Sequence, residues 1–149
     1  MAGSWTCWVN RQKKTVAYVG SADQLLDFTT MRDVAAFTAP VAIDPRPTPK
    51  FLRIAGDVVC IKDVAEAVSL VEGGTFKPSW MGSLVFLRIV IWLSGLFGGE
   101  DKGIPCLTAE SIFSGDGKLE PLDNDRYPEV KWTRVSEFLR EDKEKSSHT

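Results

Sequence analysis

FLRIAGDVVCIKDVAEAVSLVEGGTFKPSW (Phe51–Trp80) decides the fold. Phe51–Ala55 is a short apolar run closed by Gly56-Asp57, and it reads as a strand. Ile61, Val64, Ala65, Val68 and Val71 then recur every three or four residues, which places them on one face of a helix. Cys60 stands where Ser, Thr, Asp or Asn would normally cap that helix, a replacement expected to cost about 1 kcal/mol. Gly73-Gly74 ends the helix, and Thr75–Trp80 is the next strand candidate. A strand, a helix and a strand in this order imply an α/β unit with parallel pairing.

Towards the N-terminus, Thr15–Val19 (TVAYV) is a β-branched and aromatic run ended by Gly20, a further strand. Thr30-Met-Arg-Asp33 has the form of a capping box with Asp in place of the usual Glu. Val34, Phe37, Val41 and Ile43 follow as the apolar face of an amphipathic helix, which the Asp44-Pro45 step should stop. Residues 1–14 hold Trp5 and Trp8 but no periodic pattern, and are expected to be irregular.

Towards the C-terminus, Ser83 caps a third helix, Leu84–Leu96, whose apolar residues lie almost all round it. Such a helix needs cover on several sides, so a partner surface is expected over Leu84–Leu96: another part of the same protein or a second subunit. Gly98–Gly103 reads as a loop, Leu107–Ser114 as a short helix ended by Gly115, and Thr133–Glu141 as the last helix. The mixed-charge tail 141–149 is expected to be disordered. The fold class is thus α/β, a small partial parallel sheet with flanking helices, and the folded domain spans 15–140.

Composition narrows the functions. Eighteen Lys and Arg against 20 Asp and Glu give a net charge of -2. The bases are scattered, without the stripe a nucleic-acid binder shows. Cys7, Cys60 and Cys106 are an odd number with no CxxC pair, and the single histidine is His148. That argues against a disulfide framework, a zinc site and a Cys–His catalytic pair, and for a reducing, cytoplasmic setting. The opening residues have no apolar signal-like core. Leu84–Phe97, the most apolar stretch, is shorter than the ~20 residues a membrane span needs and is interrupted by Arg88.

No catalytic residue emerges from the motifs. Val16–Leu25 begins like a dinucleotide-binding loop with a strand and Gly20, but Ala22 and Leu25 stand where the later glycines belong and Asp23 would face the phosphates. Tyr127 and Lys131 satisfy Tyr-x-x-x-Lys, the spacing of a tyrosine general acid or base whose pKa a lysine one helical turn away lowers. No cofactor fold precedes them, and NDRYPE reads as an irregular approach to the next helix, so a structural role is expected. Asp57, Asp63 and Glu66 are acids around a helix start, where the dipole favours them. Asn124-Asp125-Arg126 is expected to be a structural clasp.

Taken together, Leu26–Asp44 (LDFTTMRDVAAFTAPVAID), Leu52–Asp57 (LRIAGD), Ile61–Gly73, Phe76–Ser83, Ser114-Gly115 and Asn124–Leu139 (NDRYPEVKWTRVSEFL) give the chain its resemblance. It resembles the C-terminal half of NmrA-like proteins, the atypical short-chain-dehydrogenase group that includes isoflavone-reductase-like enzymes. The resemblance implies the substrate-side half of a Rossmann-type fold. Family members bind NADP or NAD through an N-terminal Rossmann half, and that half is missing from these residues. The chain alone is therefore expected to bind no cofactor, and the missing half is one candidate cover for Leu84–Leu96. A small-molecule substrate would meet aromatics near element ends: Trp5, Trp8, Trp80 and Phe113. Two readings follow, a truncated substrate-binding portion of a reductase or redox sensor, inactive alone, and a stand-alone regulatory or partner-binding domain derived from that family.

Overall fold

The computed structural model describes residues 8–97 and 100–147, with side chains for all of these except 94–97, 100–106, 146 and 147. In chain order the elements are β1 (Val9–Asn10), β2 (Thr15–Tyr18), β3 (Leu26–Phe28), α1 (Met31–Ile43), β4 (Asp57–Val59), α2 (Ile61–Glu72), β5 (Lys77–Trp80), α3 (Leu84–Phe97), α4 (Glu100–Phe113) and α5 (Val135–Ser147). They fall into two compact units. One lies within Met1–Leu26 and Cys60–Lys118, the other within Asp27–Val59 and Leu119–Thr149.

The first, the sheet unit, carries a three-stranded sheet in the order β1-β2-β5. β2 and β5 run parallel, with Val16 opposite Pro78 and Tyr18 opposite Trp80. The parallel pairing expected across α2 is present, but the partner of β5 is β2 and not the Phe51–Ala55 run. The sheet is mixed, however, because β1 pairs antiparallel with β2, Val9 opposite Val16. The expected parallel pairing thus holds for β2–β5, while β1 adds an antiparallel edge and makes Val9–Asn10 a strand within the segment expected to be irregular. The signal was a turn: the Asn10 side chain accepts from the Lys13 N–H at 2.8 Å, and Lys14 takes a left-handed φ of 51°. The core is the α2 face Ile61, Val64, Ala65 and Val68 with Val16, Val19 and Phe76. Ser69 ties helix to strand, donating to the Ala65 carbonyl and accepting from the Phe76 N–H at 2.8 Å.

α3 and α4 pack together in this unit. The loop expected at Gly98–Gly103 and the short helix at Leu107–Ser114 give way to one helix from Glu100 to Phe113. Gly103 and Pro105 read as breakers, but packing along α3 carries poor helix formers. Gly98 and Gly99 lie outside the described residues. Among the described residues no helix is long and apolar enough to cross a membrane.

The second, the clasp unit, is joined by side chains reaching across long sequence separations. Its α1 starts with the expected capping box: the Asp33 N–H donates to Thr30 Oγ1 at 3.1 Å, and the Thr30 N–H to Asp33 Oδ2 at 3.4 Å. The buried face of α1 holds Asp33 and Phe37, whereas Val34 and Ile43 are exposed, so the apolar period alone misplaces that face. Phe51–Ala55 is extended but belongs to no sheet; the strand is β4, one step on. Its backbone is met by side chains instead. The Arg53 N–H donates to Asp123 Oδ2 at 2.7 Å, the Ala55 N–H to Asn124 Oδ1 at 3.2 Å, and Asn124 Nδ2 returns a bond to the Ala55 carbonyl at 2.7 Å. A carboxamide offers the donor and acceptor of a neighbouring strand, and the expected clasp at Asn124 is thereby present.

Asp57 Oδ2 accepts from the Val135 N–H at 2.9 Å, capping α5. Gly56 donates to the Phe28 carbonyl at 2.7 Å, and a Cβ there would stand 2.8 Å from Asp33 Oδ2. The tail expected to be disordered from 141 is helical through Ser147. Glu141 and Lys145 stand one turn apart in the favourable order, and Glu141 also pairs with Arg32.

Candidate functional site

The clasp unit contains an open groove of about 910 Å³. Arg32, Ala36 and Pro40 recur every fourth residue and so form one wall on α1. The other walls are the extended stretch from Glu129 to Thr133 and the start of α5 at Glu137. Ala36 and Pro40 are small, which leaves room, and Pro40 brings no N–H to the Ala36 carbonyl one turn back.

A buried carboxylate holds the two walls in register. Asp33 is 1% exposed. Its Oδ1 accepts from the Thr133 hydroxyl at 2.7 Å and its Oδ2 from the Thr133 N–H at 3.2 Å. Arg32 Nη2 bridges the rim, donating to Thr133 Oγ1 at 3.0 Å and to Glu141 at 3.1 Å. Trp132 packs at 5.8 Å from Phe37, which meets Tyr127 edge-on at 5.2 Å. Glu129 and Lys131 also line the groove and have no hydrogen-bond or ion-pair partner among the described residues. The groove therefore offers an aromatic wall with free charges of both signs, suited to binding an amphiphilic small molecule.

The Tyr127/Lys131 pair is split. Lys131 lines the groove, while Tyr127 is buried and follows a single 3₁₀ turn, Asn124–Arg126. Its hydroxyl donates to Asp44 Oδ2 at 2.6 Å and accepts from Arg126 Nε at 3.2 Å. Asp44 also accepts from Arg46 and Arg126, each at 2.9 Å. The bonds from Arg46 and Tyr127, joined by Arg126, hold the Asp44 carboxyl well below the usual carboxylate range. Tyr127 thus ties Arg126 to Asp44. Among the described residues no group of three or more His, Cys, Asp or Glu side chains is placed to hold a metal.

Of the aromatics read as pocket walls, Trp5 lies outside the described residues. Trp8 and Phe113 come together at 5.2 Å, edge to face, with Phe113 buried. Trp80 stands at the end of β5, 61% exposed. The groove residues gave no sequence signal beyond the four-residue recurrence of Arg32, Ala36 and Pro40, which the apolar face of α1 concealed.

The loop after β2 departs in three respects from a dinucleotide-binding loop. Gly20 has the required left-handed φ of 75°, but a Cβ there would meet the Leu84 side chain at 3.2 Å, so the glycine makes room for α3. Asp23 pairs with Lys62. The next element is β3, not a helix whose N-terminus could take the pyrophosphate.

No family model matches the sequence, and comparison with curated proteins finds no match. Solved structures do match. An isoflavone reductase crystal structure superposes with a TM-score of 0.63 at 18% identity, over 86% of this chain and 43% of that one. AtPrR2 in apo form gives 0.62 at 18% identity, over 85% and 43%. The chain thus spans less than half the length of the structures it matches. At this identity the likeness is one of fold: an α/β chain with a small mixed sheet and flanking helices, similar to part of isoflavone-reductase-like structures.

Proposed function

We propose that these residues are the substrate-side lobe of an NmrA-like, isoflavone-reductase-like protein, a reductase or redox sensor that uses NADP or NAD held by residues other than these. The observation that carries the reading is the lopsided coverage: the likeness takes in most of this chain and less than half of isoflavone reductase. The packing of Leu84 against Gly20 in the loop after β2 supports it. The substrate is a small polyphenol of the isoflavone kind. Its aromatic rings meet Trp132 in the groove or the exposed face of Trp80, and Lys131 draws its phenolate.

Tryptophan fluorescence tests this. An isoflavone titrated into the 149-residue chain should quench saturably, and Trp132→Ala or Trp80→Ala should weaken binding about tenfold, a change of about 1.4 kcal/mol. NADPH should show no saturable binding below millimolar. Micromolar NADPH binding, or an isoflavone curve that never saturates, would overturn the assignment.

A further inference from the structure

Val85, Phe86, Ile89, Trp92 and Leu93 on α3 are each between 41% and 68% exposed. At the helical repeat they fall within an arc of roughly 120°, the width of a stripe that normally faces a core. Met81, just before the helix, is exposed as well. The six side chains leave on the order of 700 Å² of apolar surface in water, above the 300–600 Å² of the largest patch on a typical monomer and close to the ~800 Å² one partner gives to a standard interface.

Charge narrows what can cover it. Arg88 is the single ionisable residue in Leu84–Leu93 and borders the stripe. Its guanidinium is already neutralised, by Glu110 at 2.7 Å and by Asp116 at 3.7 Å. A two-fold interface sets a surface against itself, so any unpaired charge on it would meet its own like. The stripe carries none, so no like charges would meet across such an axis.

We propose that two copies of this chain pair across α3, antiparallel, with Ile89 of each near the two-fold axis and Trp92 of one copy over Val85 and Phe86 of the other. The pairing uses neither the groove nor Trp80, and a further part of the same protein is the competing occupant of this face, to which a monomer at every concentration would point.

Sedimentation velocity over a concentration series is the test. The full chain should pass from monomer to dimer in the micromolar range. Ile89→Asp and Trp92→Arg should each remain monomeric at the highest concentration with unchanged far-ultraviolet circular dichroism. Ile89→Cys under mild oxidation should give a covalent dimer that the unaltered chain does not. A monomer at every concentration, a polydisperse aggregate, or a dimer that folded Ile89→Asp leaves intact would overturn the proposal.

Discussion

Val68 in the sheet unit and Asp33 in the clasp unit are equally buried, each 1% exposed, yet they hold their surroundings by different means. Val68 belongs to an apolar face packed under a sheet, where any side chain of similar volume would serve nearly as well. Asp33 accepts three hydrogen bonds from Thr30 and Thr133, and no other side chain reproduces that set. Burial at Val68 rests on volume, and at Asp33 on partners, beside the apolar contacts of Phe37, Ala55 and Leu139 in the same unit. A core built on volume shows in sequence as periodicity. A core built on partners leaves only scattered polar residues.

The contrast can be broken by experiment. Asp33→Ala strands the Thr133 and Thr30 donors and should cost roughly 3 kcal/mol in urea denaturation. Val68→Ala removes two methyl groups from a packed face and should cost about 2 kcal/mol. Hydrogen exchange sharpens the comparison: Asp33→Ala should lose protection first within 27–59 and 119–147, Val68→Ala within 60–80. Uniform loss in both variants would erase the distinction.

Acid reaches the clasp unit through Asp44. Its carboxyl titrates below the usual carboxylate value of about 3.9. The stabilisation is therefore complete above that value and drains away as pH falls towards the lowered one. Asp44→Asn should flatten the acid limb of stability below about pH 4 and leave the neutral plateau with a smaller offset. An unchanged acid limb in the variant would show that the Arg46, Arg126 and Tyr127 contacts contribute nothing. The smallest effect belongs to the cap of α2. The Cys60 N–H donates to Asp63 Oδ2 at 2.9 Å, half of a reciprocal cap. Cys60→Ser supplies a better acceptor for the other half and should raise stability by about 0.5–1 kcal/mol, measured in the same urea series.

The same contrast explains what the sequence could say. α2 and its glycine stop were legible because Ile61, Val64, Ala65 and Val68 repeat at helical spacing, and β2 and β5 were legible as short strands, but that these two pair with each other was not. Phe51–Ala55 misled because its local composition is that of a strand, while its partner is a carboxamide and a carboxylate about 70 residues away. β1 was hidden in two residues. The groove was hidden because Arg32, Ala36 and Pro40 share no chemistry, only a spacing. The exposed stripe on α3 was legible as an excess of apolar residues, and the structure adds which side of the helix carries it.

Gly56 carries a consequence of its own. The Asp33 carboxylate, the Thr133 carbonyl and the Phe28 carbonyl crowd its Cα, so any β-carbon would be driven among three oxygens at 2.8–3.2 Å. The residue is a fixed anchor for anyone rebuilding the connection that leads to it. New sequence can be spliced in around Thr48–Lys50, where the side chains are exposed. The splice has to rejoin the native chain before position 56, and the glycine has to be carried across unaltered.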